Sequence, residues 1–126
     1  VQIDAPQEEE YAENPSNNSS LITKITFGET VFLFMGDAQN ERIDEYLNTG
    51  ISRVDYLKVP YHGNWMKSLK YLLAQTRPKI AVITSSKANP EDEKTVSALE
   101  DYGAQVYLTR NGDCIFLSDG RSVKTK

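Results

Sequence analysis

The chain contains a single histidine, a single cysteine and no apolar run near the ~20 residues that a membrane-spanning helix requires. With one imidazole, His62, it cannot build a site that needs several. With one thiol, Cys114, it can form neither an internal disulfide nor a Cys-rich zinc knuckle. Cys114 lies in the strand-like run 113–118 and reads as a small core residue rather than a reactive thiol. Basic charge is also short: 14 Lys and Arg stand against 18 Asp and Glu, a net charge of −4, so bulk charge gives no footprint for nucleic acid. Signal-peptide pattern, glycine-rich phosphate loop and CxxC pair are all missing. The first residue is Val rather than Met, which leads us to expect a chain cut from a longer one, of undetermined compartment.

What remains fits one globular domain: 126 residues, 39% hydrophobic and 25% charged, are enough to bury a core. Residues 1–20 are polar, with Glu8–Glu10 and an Asn14–Ser20 cluster rich in Asn and Ser, and read as a lead-in loop. Asn17 and Asn18 each match the N-x-S acceptor pattern, which is common by chance. Residues 21–126 alternate. Strands are expected over 21–27 and 30–35, joined at Gly28-Glu29, then over 55–60 and 79–85. Helices are expected over 38–47, 65–75 and 90–102, from apolar residues at helical spacing (Ile43, Tyr46, Leu47; Trp65, Leu69, Leu72, Leu73; Val96, Leu99, Tyr102). A last hairpin, 105–109 with 114–118, is expected to turn at Asn111-Gly112. The order β-β-α-β-α-β-α-β-β implies an α/β fold with a mixed sheet and helices on one side.

Two strands end on chemistry. The run Val31–Met35 delivers Gly36-Asp37-Ala38, and Val54–Val59 delivers Pro60-Tyr61-His62-Gly63. A carboxylate and an imidazole at strand ends suit Zn²⁺ or Mn²⁺, but two ligands are too few for a catalytic metal. Each residue also has a plainer role: Asp37 as the N-cap of the following helix, His62 as an ordinary loop histidine. Tyr61 reads equally as a hydrogen-bond donor to a site or a buried sheet tyrosine. Ser85 and Ser86 follow the strand 79–85; they read as substrate contacts or as a polar loop. Lys58 is expected to point to solvent, and Trp65 into the core.

Taken together, Asn17–Leu21, Phe27-Gly28, Phe32–Ala38, Asp55–Gly63, Pro78–Ile83, Gly103–Tyr107 and Asn111-Gly112 make the chain resemble the metallo-β-lactamase superfamily. Within it, the resemblance is to the soluble domain of ComEC-type DNA-uptake proteins. It runs from Asn17 to Gly120, and its specific part is Gly-Asp-Ala followed by Leu-Lys-Val-x-x-His-Gly.

The resemblance implies the C-terminal half of a four-layer αβ/βα sandwich. It implies Asp37 as the bridge between two divalent metal ions, Zn or Mn, and His62 as a ligand of the second. It further implies a phosphodiester or small-molecule substrate, metal-activated water in the parent protein, and a bacterial cell-surface or extracellular setting. The family's usual His-His-Gly is here Tyr61-His62-Gly63, and its upstream His-x-His-x-Asp-His is not in the chain. The fragment alone is therefore expected to be inactive and to hold no metal. Its expected partners are the missing N-terminal half and, through the uncovered sheet face, another copy of itself. The alternative is a non-catalytic binding domain that kept the fold and lost the site.

Overall fold

The computed structural model describes residues 1–126. Eight strands and four helices follow in order: β1 Gln2–Asp4, α1 Pro15–Asn18, β2 Ile22–Phe27, β3 Thr30–Phe34, α2 Asn40–Leu47, β4 Tyr56–Lys58, α3 Leu69–Thr76, β5 Ile80–Ile83, α4 Glu93–Asp101, β6 Gln105–Leu108, β7 Phe116–Ser118 and β8 Val123–Thr125. Strands β1 to β6 form one sheet in sequence order. β1, β2 and β3 pair antiparallel, and β3 to β6 pair parallel. The fold is α/β with a mixed sheet, as the alternation of elements implies.

Each parallel step needs a crossover, and three successive crossovers in one direction place α2, α3 and α4 on one face. Leu33, Leu57, Ala81 and Val106 stand opposite one another across β3 to β6. The first three are almost fully buried, in one core cluster with Ile43 of α2, Leu69, Leu72 and Leu73 of α3, and Leu99 of α4.

The opposite face carries Phe34, Lys58, Val82 and Tyr107 in register, with Phe32 and Tyr56 one step along. It is covered only in part. Phe116 of β7 meets Tyr56 and Tyr107 edge-on, with centroids 5.5 Å and 5.0 Å away. Ile3 and Phe27 on that side remain 63% and 55% exposed, and Ile115 and Leu117 in and beside β7 remain 51% and 57% exposed.

The structure corrects several expectations. β6 is the far edge strand and does not form a hairpin with β7; β7 pairs instead with β8. Asn111 lies in a 3₁₀ turn and does not take positive φ, while Gly112 sits at φ 135° and ψ −176°, outside the left-handed helical region. A two-residue Asn-Gly turn would need left-handed backbone at both. The actual hairpin turn is held by Asp119, whose carboxylate accepts the Arg121 and Ser122 N–H groups at 2.9 Å each. Helices α2, α3 and α4 begin later than expected: Ala38, Trp65 and Pro90 all precede them. Cys114 is half-buried in the loop before β7, outside the core cluster.

The segment 1–20 is also more than a lead-in loop. β1 adds an edge strand, and Tyr11 and Asn18 are buried. Polar contacts hold it. The fully buried Arg42 guanidinium pairs with Asp4 and Glu45 at 2.6 Å each, and it donates to the Asp4 and Ser20 carbonyls. Tyr11 donates its hydroxyl to Glu45. The Asn18 side chain accepts the Gln39 and Arg42 N–H groups at the start of α2 (3.0 and 3.3 Å), so it is buried at a helix end rather than free for glycosylation.

Removing one partner of a buried ion network leaves the other charges uncompensated. Arg42→Met is therefore expected to cost about 3 kcal/mol, less than a fully enclosed pair because Asp4 keeps some solvent. Urea unfolding measures it; a loss under about 1 kcal/mol would show that the network is a surface ornament.

Candidate functional site

The loops after β3, β4 and β5 open at the same edge of the sheet, where open α/β sheets bind ligands. Asp37 arrives there through Gly36, whose φ is +57°. A Cβ at Gly36 would lie 3.1 Å from Ser20 Cβ, and Ser20 Oγ accepts the Asp37 N–H at 3.1 Å. Asp37 does not cap α2, whose N-cap is Gln39. The carboxylate is therefore left for other work. Its Oδ1 lies 3.2 Å from His62 Nε2 and 3.9 Å from Lys58 Nζ.

His62 is presented by strained backbone. Tyr61 (φ 48°, ψ 43°) and His62 (φ 54°, ψ 24°) are both left-handed, and Gly63 continues at φ 77°. Side chains in that region cost on the order of 1–3 kcal/mol each, and such strain gathers at functional sites. Surrounding contacts hold the turn. Tyr61 N–H donates to the Gly36 carbonyl at 3.3 Å, and Asp92 N–H donates to the Gly63 carbonyl at 3.1 Å. A Cβ at Gly63 would fall 2.8 Å from Ile83 Cγ2 and 2.9 Å from Glu91 Cβ, so no other residue fits without displacement.

The His62 ring is oriented from behind. Its Nδ1 lies 2.7 Å from the Thr84 carbonyl and 3.0 Å from Thr84 Oγ1. A carbonyl only accepts, so Nδ1–H donates to it, and the ring turns Nε2 toward Asp37. Histidines that serve as metal ligands are commonly held this way by a backbone carbonyl. The geometry thus converges one carboxylate oxygen and one imidazole nitrogen. Nowhere in the molecule do three or more His, Cys, Asp or Glu side chains gather as a complete set of metal ligands.

Lys58 does not point freely to solvent. Its side chain is 16% exposed, and its ammonium donates to the Gly36 carbonyl at 2.9 Å. Burial pushes its pKa below the usual lysine range, opposed in part by the Asp37 carboxylate. Period-two alternation was the signal: Lys58 shares the face of Tyr56 and, across the register, of Phe34.

The other sequence candidates separate. Tyr61 packs against the core, while Trp65 packs beside it with Lys94 Nζ 4.4 Å from its ring centre. Ser85 commits its hydroxyl to Glu91 at 2.6 Å, and Ser86 Oγ accepts the Asn89 N–H at 3.0 Å. A cleft of about 630 Å³ opens beside His62 and is lined by Asn64, Thr84, Ser85, Ser86 and Asn89 among others. The structure therefore brings His62, Ser85 and Ser86 to one cleft. Asp37 reaches His62 without lining that cleft, and Tyr61 stays outside it.

Two proteins are similar in sequence. Over 74 residues the chain is 32% identical to "Recombination protein 2" of Haemophilus influenzae, an overlap of 59% of this chain and 9% of that protein. Over 101 residues it is 30% identical to "ComE operon protein 3" of Bacillus subtilis, covering 76% of this chain and 13% of that one. The chain thus spans only about a tenth of the length of either relative. No protein-family profile and no solved structure matches it.

Two outcomes follow from the supports. Gly63→Ala is expected to lose more than about 2 kcal/mol in chemical denaturation, from left-handed strain plus the clash with Ile83 and Glu91. Glu91 gives a pH signature. Burial raises its carboxyl, but hydrogen bonds from Arg110 and Ser85 outweigh that and hold it below the usual 4.5. A depressed carboxylate stabilises the fold above its unfolded pKa, and that contribution is lost as pH falls through the folded value. The stability gap between the chain and Glu91→Gln should be constant above about pH 5 and shrink steadily below it. A gap that does not change with pH would remove Glu91 from this role.

Proposed function

We propose that the chain is the C-terminal half of a metal-dependent hydrolase domain of the metallo-β-lactamase type, with a phosphodiester substrate, inside a longer parent protein. The observation that carries this reading is the meeting of Asp37 Oδ1 and His62 Nε2 at 3.2 Å, with His62 Nδ1 fixed on the Thr84 carbonyl.

These residues suit a divalent metal: an exposed carboxylate, and an imidazole turned to offer Nε2. Asp37 would bridge two ions, Zn or Mn, and His62 would ligate one of them. When bound, such a metal pair supplies Lewis acidity at the phosphoryl oxygens and an activated water. The remaining ligands would come from the N-terminal half.

The chain's own residues do the positioning. Thr84 fixes the tautomer and plane of His62. Lys58 and the Tyr61 N–H share the Gly36 carbonyl, tying the Asp37 loop to the His62 loop. The packing of Tyr61 against the core supports the second residue of the Tyr-His-Gly segment as the ligand. The names of the two similar proteins, one of recombination and one of the ComE operon, support DNA as the substrate and a role in competence. The half-covered sheet face with Ile3 and Phe27 supports a missing layer there.

In the parent protein, Asp37→Asn is expected to abolish bound Zn or Mn by elemental analysis and to reduce phosphodiester hydrolysis at least ~100-fold. A metal-free wild-type parent, or unchanged hydrolysis in the variant, would falsify the reading. The isolated chain is expected to self-associate in sedimentation, and Phe27→Lys to shift it toward monomer. A wild-type chain that stays monomeric at high concentration would count against the half-domain.

A further inference from the structure

The cleft beside His62 differs in chemistry from the pair it adjoins. No Lys, Arg, Asp or Glu lines it, and its only aromatic ring is the His62 imidazole. Beside Ala88 and Pro90, its other groups are hydroxyls and amides. The Asn89 side chain makes no hydrogen bond within the protein, and Asn64 donates through Nδ2 to the Tyr61 carbonyl, leaving Oδ1 free. Ser86 Oγ accepts from Asn89 N–H and keeps its own proton to donate. Glu91 and Arg110, behind Ser85, neutralise each other through a two-nitrogen contact at 2.9–3.2 Å; Asp37 lies against His62 at 3.2 Å, and Lys87, between Ser86 and Ala88, is not among the lining residues.

The wall is also built in advance. Ser85 N–H donates to Thr109 Oγ1 at 3.2 Å, the Ser85 hydroxyl donates to Glu91 at 2.6 Å, and Ser86 N–H donates to the Asn89 carbonyl at 3.2 Å. A loop fixed at both ends loses little entropy when something binds to it. Its volume of about 630 Å³ is ample for one sugar residue with room for its substituents.

We infer that this cleft is a pentose subsite: it takes the neutral, hydroxyl-bearing ring next to the phosphoryl group, through Ser86, Asn89 and Asn64. A bare phosphate is best held by cations, and no Lys or Arg is among the lining residues; a nucleobase is best held by a broad aromatic or apolar wall, and this lining offers only the His62 ring, Ala88 and Pro90. The inference rests on the hydrolase reading for the reaction it serves, but not for the binding itself.

Two experiments test it separately. In the first, thymidine, thymine and inorganic phosphate are titrated into the isolated chain and followed by amide NMR. Saturable shifts at Asn64, Ser86 and Asn89 are expected from thymidine alone. Equal shifts from thymine or phosphate, or none from thymidine, overturn the assignment. In the second, Ser86→Ala/Asn89→Ala is placed in the metal-loaded parent. KM for thymidine 5′-(p-nitrophenyl phosphate) is expected to rise about tenfold, the factor for two lost hydrogen bonds, with kcat kept and with bis(p-nitrophenyl) phosphate unaffected. An equal effect on both substrates overturns the subsite. If the wild-type parent cleaves neither, the hydrolase reading falls and the NMR titration alone decides the subsite.

Discussion

Parallel pairing is the constraint on which the rest depends. Once β3, β4 and β5 run side by side in one direction, their three following loops must open at one edge. Asp37, His62 and Thr84 each belong to a different one of those loops, so the carboxylate, the imidazole and the carbonyl that orients it meet without any other device. The register is fixed by burial. Leu33, Leu57 and Ala81 face the helices, and a slip of one residue in β4 would push Lys58 into the core and expose Leu57. The same register that satisfies the core therefore sets the distance between the two polar groups.

The strained turn shows how local cost is offset at a distance. Tyr61 and His62 together store a few kcal/mol in left-handed backbone. Individual hydrogen bonds contribute about 1 kcal/mol each, so the contacts of His62 with Thr84 alone do not hold the turn. Packing does the rest: Ile83 and Glu91 close on Gly63, Asp92 ties its carbonyl, and Tyr61 lies against the core. Such a turn is stable only on an intact sheet, and it keeps the imidazole in one pose when it is.

Strands β2 to β6 and the two residues that end β3 and β4 were legible in the sequence because each is written locally. An apolar run of strand length that stops at Gly-Asp or Pro-Tyr-His-Gly can be seen without knowing its neighbours. What could not be seen was written between distant residues. β1 exists because Asp4 meets Arg42, and an isolated Gln-Ile-Asp gives no hint of that. β7 chose β8 over β6 because the turn at 119–122 closes on the Asp119 carboxylate, while the Asn-Gly that looked like a hairpin turn serves a longer loop. Lys58 departs from its sequence expectation for a related reason. A charged residue in a strand suggests solvent, yet the acceptor that draws it in, the Gly36 carbonyl, belongs to another loop. Even Asp37 was ambiguous in sequence until Asn18, across a long separation, took over the start of α2.

Two features of the chain fall in related places. Asp37 and His62 meet at the carboxyl edge of the parallel strands, and the apolar surface is least covered on the face opposite the helices, where Phe116 shields only the middle. Lys58 joins them, since it lies on that same face and its ammonium reaches the Asp37 loop. An ammonium so desolvated is costly unless something negative stays near it, and Asp37 is the acid within reach. The pairing is thus mutual: Lys58 keeps the carboxylate anchored at its place by the sheet, and the carboxylate justifies a buried cation. A single added layer packed on the open face would cover Ile3 and Phe27 and bring its own side chains to the edge where Asp37 and His62 wait. On the proposed reading, one partner layer would answer both features, the exposed apolar face and the strained histidine aimed at a carboxylate.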